Sequence, residues 1–185
     1  MNKRCFVAIT GGQGVGKSTF CRKLSSSLIA AGHKDVQLIE GLGERMAAMG
    51  IPLGSGATTQ TIFAVWAAHL ERQAEARNGL IILDRCAIDA LAYTRALRLG
   101  TLIERQLFEQ VAKLASERLN LVINLRLTEF FRGKGGSHES SELREEVVTE
   151  INALISHLGV NAIELDAAKE SSVQTACRAI EGLMS

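Results

Sequence analysis

The sequence has 185 residues, of which 46% are hydrophobic and 22% are charged, a composition that suits one compact soluble domain. Its 21 lysines and arginines nearly balance its 20 aspartates and glutamates, giving a net charge of +1. This balance excludes a broad basic surface for bulk nucleic acid or for an anionic membrane. No hydrophobic run approaches the length of a membrane-spanning helix, so we expect a cytoplasmic protein without a membrane partner.

Apolar, strand-like runs alternate along the chain with segments of helical period. This alternation predicts an α/β fold with a mainly parallel sheet. The predicted strands lie at 5–10, 36–40, 80–84, 119–127 and 160–165. Helices are predicted after the first strand, near 44–49, at about 59–78, from 88 to the break at Gly100, at 103–114, from about 141 and from about 172.

The segment between the first strand and the first helix fits the pattern GxxxxGK[ST]. Glycines in such a loop let backbone N–H groups turn toward phosphate oxygens, and the next helix presents its positive end to the same anion. Lys17 would reach the β- and γ-phosphates of ATP, and the Ser18 hydroxyl would bind Mg²⁺. The predicted nucleotide-binding residues are Gly11, Gly12, Gln13, Gly14, Val15, Gly16, Lys17, Ser18 and Thr19. This segment resembles the Walker A loop of P-loop nucleotide-binding proteins.

A P-loop enzyme needs a second carboxylate near its metal. Asp84 is the best candidate because it ends the most continuously apolar strand, at the sheet edge where α/β proteins bind ligands. The alternative is an aspartate that caps the next helix, with Arg85 on the surface. Asp84-Arg85 resembles the Asp-Arg motif of thymidylate kinases and the Glu-Arg motif of deoxynucleoside kinases. The resemblance implies that Asp84, with Ser18, serves the metal or its water, and that Arg85 contacts the phosphoryl group or the acceptor.

Glu40 ends the second predicted strand, and Glu44-Arg45 follows one helical turn later. A carboxylate here can accept or orient the proton of an acceptor hydroxyl, although a strand-ending glutamate is also common simply because it is exposed. The spacing of Glu40, Glu44 and Arg45 resembles that of small ATP-binding proteins near the ribosylnicotinamide kinase domain. Those proteins are often labelled AAA ATPases although they lack the larger AAA+ architecture.

The segment at about 127–142 is rich in glycine, serine and charge, which predicts a mobile lid. A basic loop that closes over a triphosphate would exclude water and add positive charge. Arg132 and Arg144 are the strongest candidates for that charge, and a solvated, charge-rich loop is the alternative. The segment resembles the lid of nucleoside and nucleotide kinases.

Two further groups of residues are weaker candidates. Phe63, Trp66 and Leu70 could touch an acceptor base, although an aromatic stripe on a helix more often packs in the core. His33, His69 and His157 show no metal-ligand spacing, so we assign them no role.

The resemblances follow the order of elements along nearly the whole chain. They imply a three-layer α/β/α P-loop fold with about five parallel strands and a lid, in one domain over 1–185. They also imply MgATP-dependent phosphoryl transfer to a small acceptor, most simply a nucleoside or a nucleoside monophosphate. The implied catalytic residues are Lys17, Asp84, Arg85, Glu40, Arg132 and Arg144. The alternative is a P-loop ATPase or nucleotide-dependent switch that acts on a protein partner, and a homodimer is left open.

Overall fold

Five parallel strands form one sheet in the order β2-β3-β1-β4-β5. The bounds of these strands are β1 Arg4–Gly11, β2 Val36–Ile39, β3 Gly79–Asp84, β4 Leu121–Leu125 and β5 Ala162–Leu165. The computed structural model describes residues 4–77, 79–128 and 139–184. The predicted lid therefore lies mostly outside the described residues, together with its candidate Arg132.

Seven helices flank the sheet within the described ranges. Their bounds are α1 Lys17–Ala30, α2 Leu42–Ala48, α3 Thr59–Glu75, α4 Ala87–Ala96, α5 Leu102–Ser116, α6 Ser141–Leu158 and α7 Ser171–Met184. A short 3-10 turn, Gly54–Gly56, lies between α2 and α3. The order of strands and helices agrees with the order that the sequence predicts.

The central strands β1, β3 and β4 are largely buried on both faces, as parallel strands between helices are, and the edge strands β2 and β5 are partly buried. On one face of the sheet, Phe6 and Ala8 of β1 belong to a core cluster with residues of α3, α4, α5 and α6. On the other face, Val7 and Ile9 belong to a cluster with residues of α1 and α7. The two clusters confirm the predicted three-layer α/β/α arrangement.

The end of α3 differs from the prediction. The helical period favours a helix to residue 78 with Gly79 as its C-terminal glycine, but α3 ends at Glu75 and Gly79 begins β3. Ala76 leaves the helix in an extended conformation, with φ −56° and ψ 133°. Its side chain is buried in the core, so tertiary packing ends the helix before the local pattern does.

The order of the strands brings the ends of β1 and β3 together. Ile9 is paired in register with Asp84, and the next residue, Arg85, donates its backbone N–H to the carbonyl of Ile9 at 3.0 Å. Because both strands are parallel, the P-loop after β1 and the Asp84-Arg85 pair after β3 emerge at the same edge.

Candidate active site

The loop from Gly11 to Gly16 joins β1 to the first turn of α1. Gly16 is the residue before α1 and has a left-handed conformation, with φ 86° and ψ 21°, and no side chain caps the helix. A residue with a Cβ is disfavoured in this conformation. The loop therefore turns sharply into α1 and leaves the first N–H groups of the helix open to an anion.

The loop also lies close to α6. A Cβ built on Gly12 would be 2.7 Å from Cγ2 of Val148 and 3.6 Å from Cγ of Arg144. Glycine is therefore the residue that fits between the loop and this helix. Arg144 is only 8% exposed, so the structure places this predicted site residue beside the P-loop, on the second turn of α6.

Lys17 lies inside the loop. Its ammonium Nζ donates to the carbonyl oxygens of Gly11 at 2.7 Å and Gly12 at 2.6 Å. Burial, followed by the positive charge of Arg85, lowers the pKa of Lys17 to about 7. A phosphate in the loop would offer the ammonium an anionic partner and would favour its charged form.

The side chains of two predicted loop residues do not border the cavity beside the P-loop. Val15 is fully buried and packs in the core between the sheet and α1, so its contribution to a nucleotide site is its backbone. Thr19 is exposed on α1. Gln13 and Ser18, by contrast, border the cavity described below.

Arg85 follows β3 in a backbone conformation that is rare for a residue with a side chain, with φ 74°. Such a conformation costs about 1–3 kcal/mol and persists where the surroundings impose it. The hydrogen bond from its N–H to Ile9 fixes the backbone, and its Nη1 lies 3.4 Å from Oδ1 of Asp89. Burial opposes the charge of Arg85, but acidic neighbours, Asp89 foremost, outweigh this effect and raise its pKa.

Asp89 contacts two groups, the backbone at the start of α4 and the guanidinium of Arg85. Its Oδ2 accepts a hydrogen bond from the backbone N–H of Cys86 at 2.9 Å, which satisfies a donor at the helix N-terminus. The carboxylate is 2% exposed. Asp89 therefore orients the Arg85 guanidinium from a position that is itself held by the backbone.

The donors available to a metal at this edge are oxygen atoms. Ser18 and Asp84 border the same cavity, and a hydroxyl with a carboxylate suits the hard Mg²⁺ ion. Within 4–77, 79–128 and 139–184, no three His, Cys, Asp or Glu residues cluster to form a metal site. Mg²⁺ commonly binds through one or two protein oxygens, with phosphates and waters completing its shell. The residues therefore fit a magnesium ion that accompanies a nucleotide.

A cavity of about 650 Å³ opens beside the P-loop. This is the size of a small-molecule site. Its apolar wall comes from α2, the loop after it and α3, and includes Leu42, Met46, Leu53, Ala57, Ile62 and Val65. Its polar groups converge from several elements and include Gln13, Ser18, Glu44, His69, Asp84, Arg85, Asp89, Tyr93 and Glu139.

Glu139 connects three parts of the cavity wall. Its Oε2 accepts a hydrogen bond from the Tyr93 hydroxyl at 3.0 Å. The side-chain amide of Gln13, in the orientation that satisfies both groups, donates to the two carboxylate oxygens at 2.8 and 2.6 Å. Burial raises the pKa of Tyr93, so the phenol stays protonated and donates. The contact therefore joins the P-loop, α4 and the start of α6.

Glu40 does not border the cavity. Its carboxylate pairs with the guanidinium of Arg22 at 2.9 Å, and its carbonyl accepts a hydrogen bond from Arg72. Glu44, one helical turn later, does border the cavity. The structure thus brings Lys17, Ser18, Asp84 and Arg85 to one edge of the sheet and leaves the Glu40 carboxylate in an ion pair outside the cavity.

The aromatic residues of α3 also lie away from the cavity. Trp66 is buried in the core, and Phe63 packs on Phe108 with ring centroids 4.8 Å apart. The cavity is lined instead by Ile62, Val65 and His69. Burial, with the charges of Arg72 and Arg85, lowers the pKa of His69 to about 3, so its ring is neutral at pH 7.

Neither His69 nor Glu139 is a site residue that the sequence predicts. His69 follows Ile62 and Val65 at seven and four residues, a spacing that places the three on one helical face. That spacing could have suggested His69 only if this face had been known to turn toward the ligand. No sequence signal connects Glu139 with Gln13 and Tyr93.

A model of a protein family described as AAA domain matches residues 6–171. This range includes the P-loop, Asp84-Arg85 and every residue of the cavity. The chain belongs to this AAA domain family. A search of curated proteins gives no match.

Solved structures of kinase-like proteins share the fold. A crystal structure of NadR in complex with NR superposes with a TM-score of 0.76 and 18% identity, over 97% of this chain and 51% of the NadR chain. NadR in complex with NAD and AMP-PNP gives a TM-score of 0.72 and 19% identity, over 97% and 49% of the two chains. The chain thus spans about half the length of NadR.

Thymidylate kinase from Ehrlichia chaffeensis superposes over its whole length. The TM-score is 0.69 at 13% identity, and the match covers 99% of this chain and 100% of that one. Together the neighbours confirm a P-loop nucleotide kinase-like fold. None of the helices in the described ranges has both the length and the apolar character needed to cross a membrane.

Proposed function

We propose that the protein transfers the γ-phosphoryl group of MgATP to a small acceptor that binds in the cavity beside the P-loop. One observation carries this proposal: Gln13 and Ser18 of the nucleotide loop border the same cavity as Asp84 and Arg85. A phosphoryl group held by the loop would therefore face an acceptor directly. The catalysis that such a site needs is mainly positioning and charge neutralisation.

Different groups of the loop would bind different parts of MgATP. Backbone N–H groups from Gly11 to Ser18, with Thr19 at the start of α1, would surround the phosphates. Lys17 would neutralise the transferred phosphoryl group, and Ser18 and Asp84 would hold Mg²⁺. When bound, the ion would supply positive charge to the phosphate oxygens. NadR in complex with NAD and AMP-PNP supports nucleotide binding by this fold.

Arg85 would contact the transferred phosphoryl group or the acceptor from the opposite side. Its fixed backbone and its contact with Asp89 at 3.4 Å support a preorganised guanidinium, which lowers the cost of orienting charge during reaction. Arg144 would add charge from α6, and Arg132 from the lid. Glu44 borders the cavity and is better placed than Glu40 to accept the proton of an acceptor hydroxyl.

Incubation with MgATP and single candidate acceptors tests the proposal. The panel contains nucleosides, nucleoside monophosphates and ribosylnicotinamide, with ADP release and product mass as readouts. We expect one class to gain the mass of a phosphate. Lys17→Ala should lower kcat by about 10³-fold or more because a charge at the transferred group is lost, while its circular dichroism spectrum stays that of the wild type. Normal turnover by Lys17→Ala would contradict the proposal.

The second candidate is a P-loop ATPase or switch that acts on a protein partner. It is favoured by the apolar surface of α5, where Leu102, Ile103 and Leu114 are 73%, 77% and 63% exposed, because large exposed apolar patches often mark protein contacts. ATP hydrolysis that a protein stimulates and that none of the small acceptors stimulates would support this candidate. The apolar wall of the cavity has no role in this second candidate.

A further inference from the structure

The charge of the cavity wall bears on which acceptor it can take, and this inference rests on the proposed phosphoryl transfer. Among the residues that the structure describes, the cavity is lined by four carboxylates, Glu44, Asp84, Asp89 and Glu139, and by one cationic side chain, Arg85. Its two other titratable groups are His69 and Tyr93, both neutral at pH 7. The wall is therefore an acidic surface interrupted by one guanidinium.

The single guanidinium is already engaged. Nη1 of Arg85 lies 3.4 Å from the buried carboxylate of Asp89, so part of its charge is compensated within the wall. Two arginines of the neighbouring helices α2 and α3 are engaged outside the cavity. Arg45 pairs with Glu71 at 3.2 Å, and Arg72 donates to the Glu40 carbonyl at 2.9 Å. Within the described ranges, the wall offers an anionic acceptor no second cation.

A phosphate monoester carries about −1.5 to −2 charges at pH 7. Proteins commonly bind such groups with several arginines or lysines, which form charge-assisted and bidentate hydrogen bonds. Placed in this cavity, the ester would meet like charge from Glu44 and Glu139 across a partly apolar space. Like charges repel more strongly there than in water because the surroundings screen them less. Binding of an acceptor that carries its own phosphate is therefore unfavourable in this cavity.

An acceptor with free hydroxyls fits the same wall. Ionised carboxylates act only as hydrogen-bond acceptors, so Glu44 can take hydrogen bonds from the hydroxyl groups of an acceptor. Leu42, Met46 and Val65 can pack against a flat or apolar part of the same molecule. The cavity of about 650 Å³ has room for a molecule of nucleoside size.

We propose that the cavity selects an unphosphorylated acceptor, a neutral or cationic molecule of nucleoside size that carries both hydroxyls and an apolar or aromatic ring, and that it rejects the corresponding monophosphate. Selection comes from the carboxylates around the cavity rather than from the size of the acceptor. The enzyme then phosphorylates a hydroxyl of a nucleoside-like molecule and does not extend an existing phosphate.

Matched pairs of acceptors test this selection. Each nucleoside is compared with its own 5′-monophosphate, at equal concentration with MgATP, by kcat/KM from ADP release and by product mass. We expect the preferred nucleoside to exceed its monophosphate by about 10²-fold, which corresponds to about 2.7 kcal/mol. A preference for the monophosphate would overturn the inference and leave the kinase assignment intact. No phosphorylated product from either member of any pair would overturn the proposed function itself.

A charge reversal at Glu44, on the rim of the cavity, tests whether charge rather than shape determines the choice of acceptor. Glu44 is exposed, so Glu44→Lys should fold, and we expect it to reduce the ratio between nucleoside and monophosphate by about tenfold through a lower KM for the monophosphate. Glu75→Lys makes the same charge change at the exposed end of α3, outside the cavity, and should leave the ratio unchanged. Equal effects of the two variants would show that only net charge matters and would overturn the inference.

Binding gives a readout that does not depend on turnover. Calorimetric titration of each acceptor pair into the protein, saturated with AMP-PNP and Mg²⁺, should show tighter binding of the nucleoside. Glu44→Lys should narrow this difference, and Glu75→Lys should not. Tighter binding of the monophosphate by the wild type would overturn the inference even if no transfer were observed.

Discussion

The P-loop and the cavity beside it are built in different ways. The backbone N–H groups of the loop and the Lys17 ammonium come from one run, Gly11 to Thr19, and the shape of the loop is set by backbone conformations such as the left-handed Gly16. The cavity draws its wall from segments between Gln13 and Glu139, and none of them forms it alone. Changes in the loop should therefore act on nucleotide chemistry, and changes in the cavity wall should act on the acceptor.

Arg85 lies where the two regions meet, and its removal should have a larger effect than a change in the cavity wall alone. Arg85→Ala is expected to lower kcat/KM by about 10²-fold because a preorganised positive charge is lost. Arg85→Gly removes the same side chain, but glycine adopts the backbone conformation at φ 74° without strain. The free energy of unfolding of Arg85→Gly should therefore be about 1 kcal/mol higher than that of Arg85→Ala. Steady-state kinetics and urea denaturation measure the two effects. Full activity in both variants would show that Arg85 has a structural role only.

The pH dependence of nucleotide affinity tests the loop by itself. The free loop holds Lys17 with a pKa of about 7, and a bound phosphate favours the ammonium. The complex therefore keeps a proton that the free protein loses above pH 7, so the Kd of MgADP should rise with pH between 7 and 9, by up to about tenfold per unit. Calorimetry in buffers of different ionisation enthalpy should show proton uptake.

Lys17→Arg is the matched control for this pH profile. An arginine stays charged throughout the range, so the variant should lose most of the slope even if its affinity is lower. A wild-type Kd that does not change between pH 7 and 9 would contradict the proposed protonation of Lys17.

Filling the cavity should affect the acceptor alone. Ala57 borders the cavity, and Ala57→Leu is expected to raise the KM of the acceptor by about tenfold because the added methylenes occupy its space. The Kd of the nucleotide should stay within about twofold of the wild type. Ala67→Leu, on the exposed side of α3, is the control and should change neither value. An equal rise in nucleotide Kd and acceptor KM would mean that the two regions are not separate.

The smallest effect is expected at Glu40. Glu40→Gln removes the ion pair with Arg22, whose side chain is 64% exposed, and such pairs contribute less than about 1 kcal/mol. Because the Glu40 carboxylate also does not border the cavity, we expect kcat to change by less than about threefold. Glu44→Gln, at the cavity rim, should change the acceptor KM more. A loss of about 10²-fold in kcat for Glu40→Gln would instead establish a catalytic role for Glu40.

The elements of the fold were largely predictable because their signals are local. The continuously apolar run 80–84 predicts a buried strand, and β3 covers it; Leu154 and Leu158 continue the pattern that α6 follows. The end of α3 was not predictable, because the burial of Ala76 depends on contacts distant in sequence. The strand order was not predicted, since hydrophobic pattern does not say which strands are neighbours.

In the candidate site, too, residues with a local sequence signal were predictable and residues that depend on distant contacts were not. Lys17 and Ser18 could be named from a contiguous motif, and Asp84 from its place at the end of a strand. Helical period also drew attention to α3, but it favoured Phe63 and Trp66, whereas Ile62, Val65 and His69 line the cavity. Because α3 packs on the core with one side and lines the cavity with another, its hydrophobic pattern does not show which side faces a ligand. Glu139 could not be found, because its partners are distant in sequence.

The sequence by itself determined the nucleotide loop and the α/β class, because a phosphate-binding backbone and an alternation of strands and helices are encoded by residues that are adjacent in the chain. Only the tertiary structure decided the acceptor site. It placed Glu44 rather than Glu40 on the cavity, oriented Arg85 through Asp89, and brought Glu139 to Gln13 and Tyr93. Shape and charge of a cavity arise from elements that meet only when the sheet and its helical layers have packed.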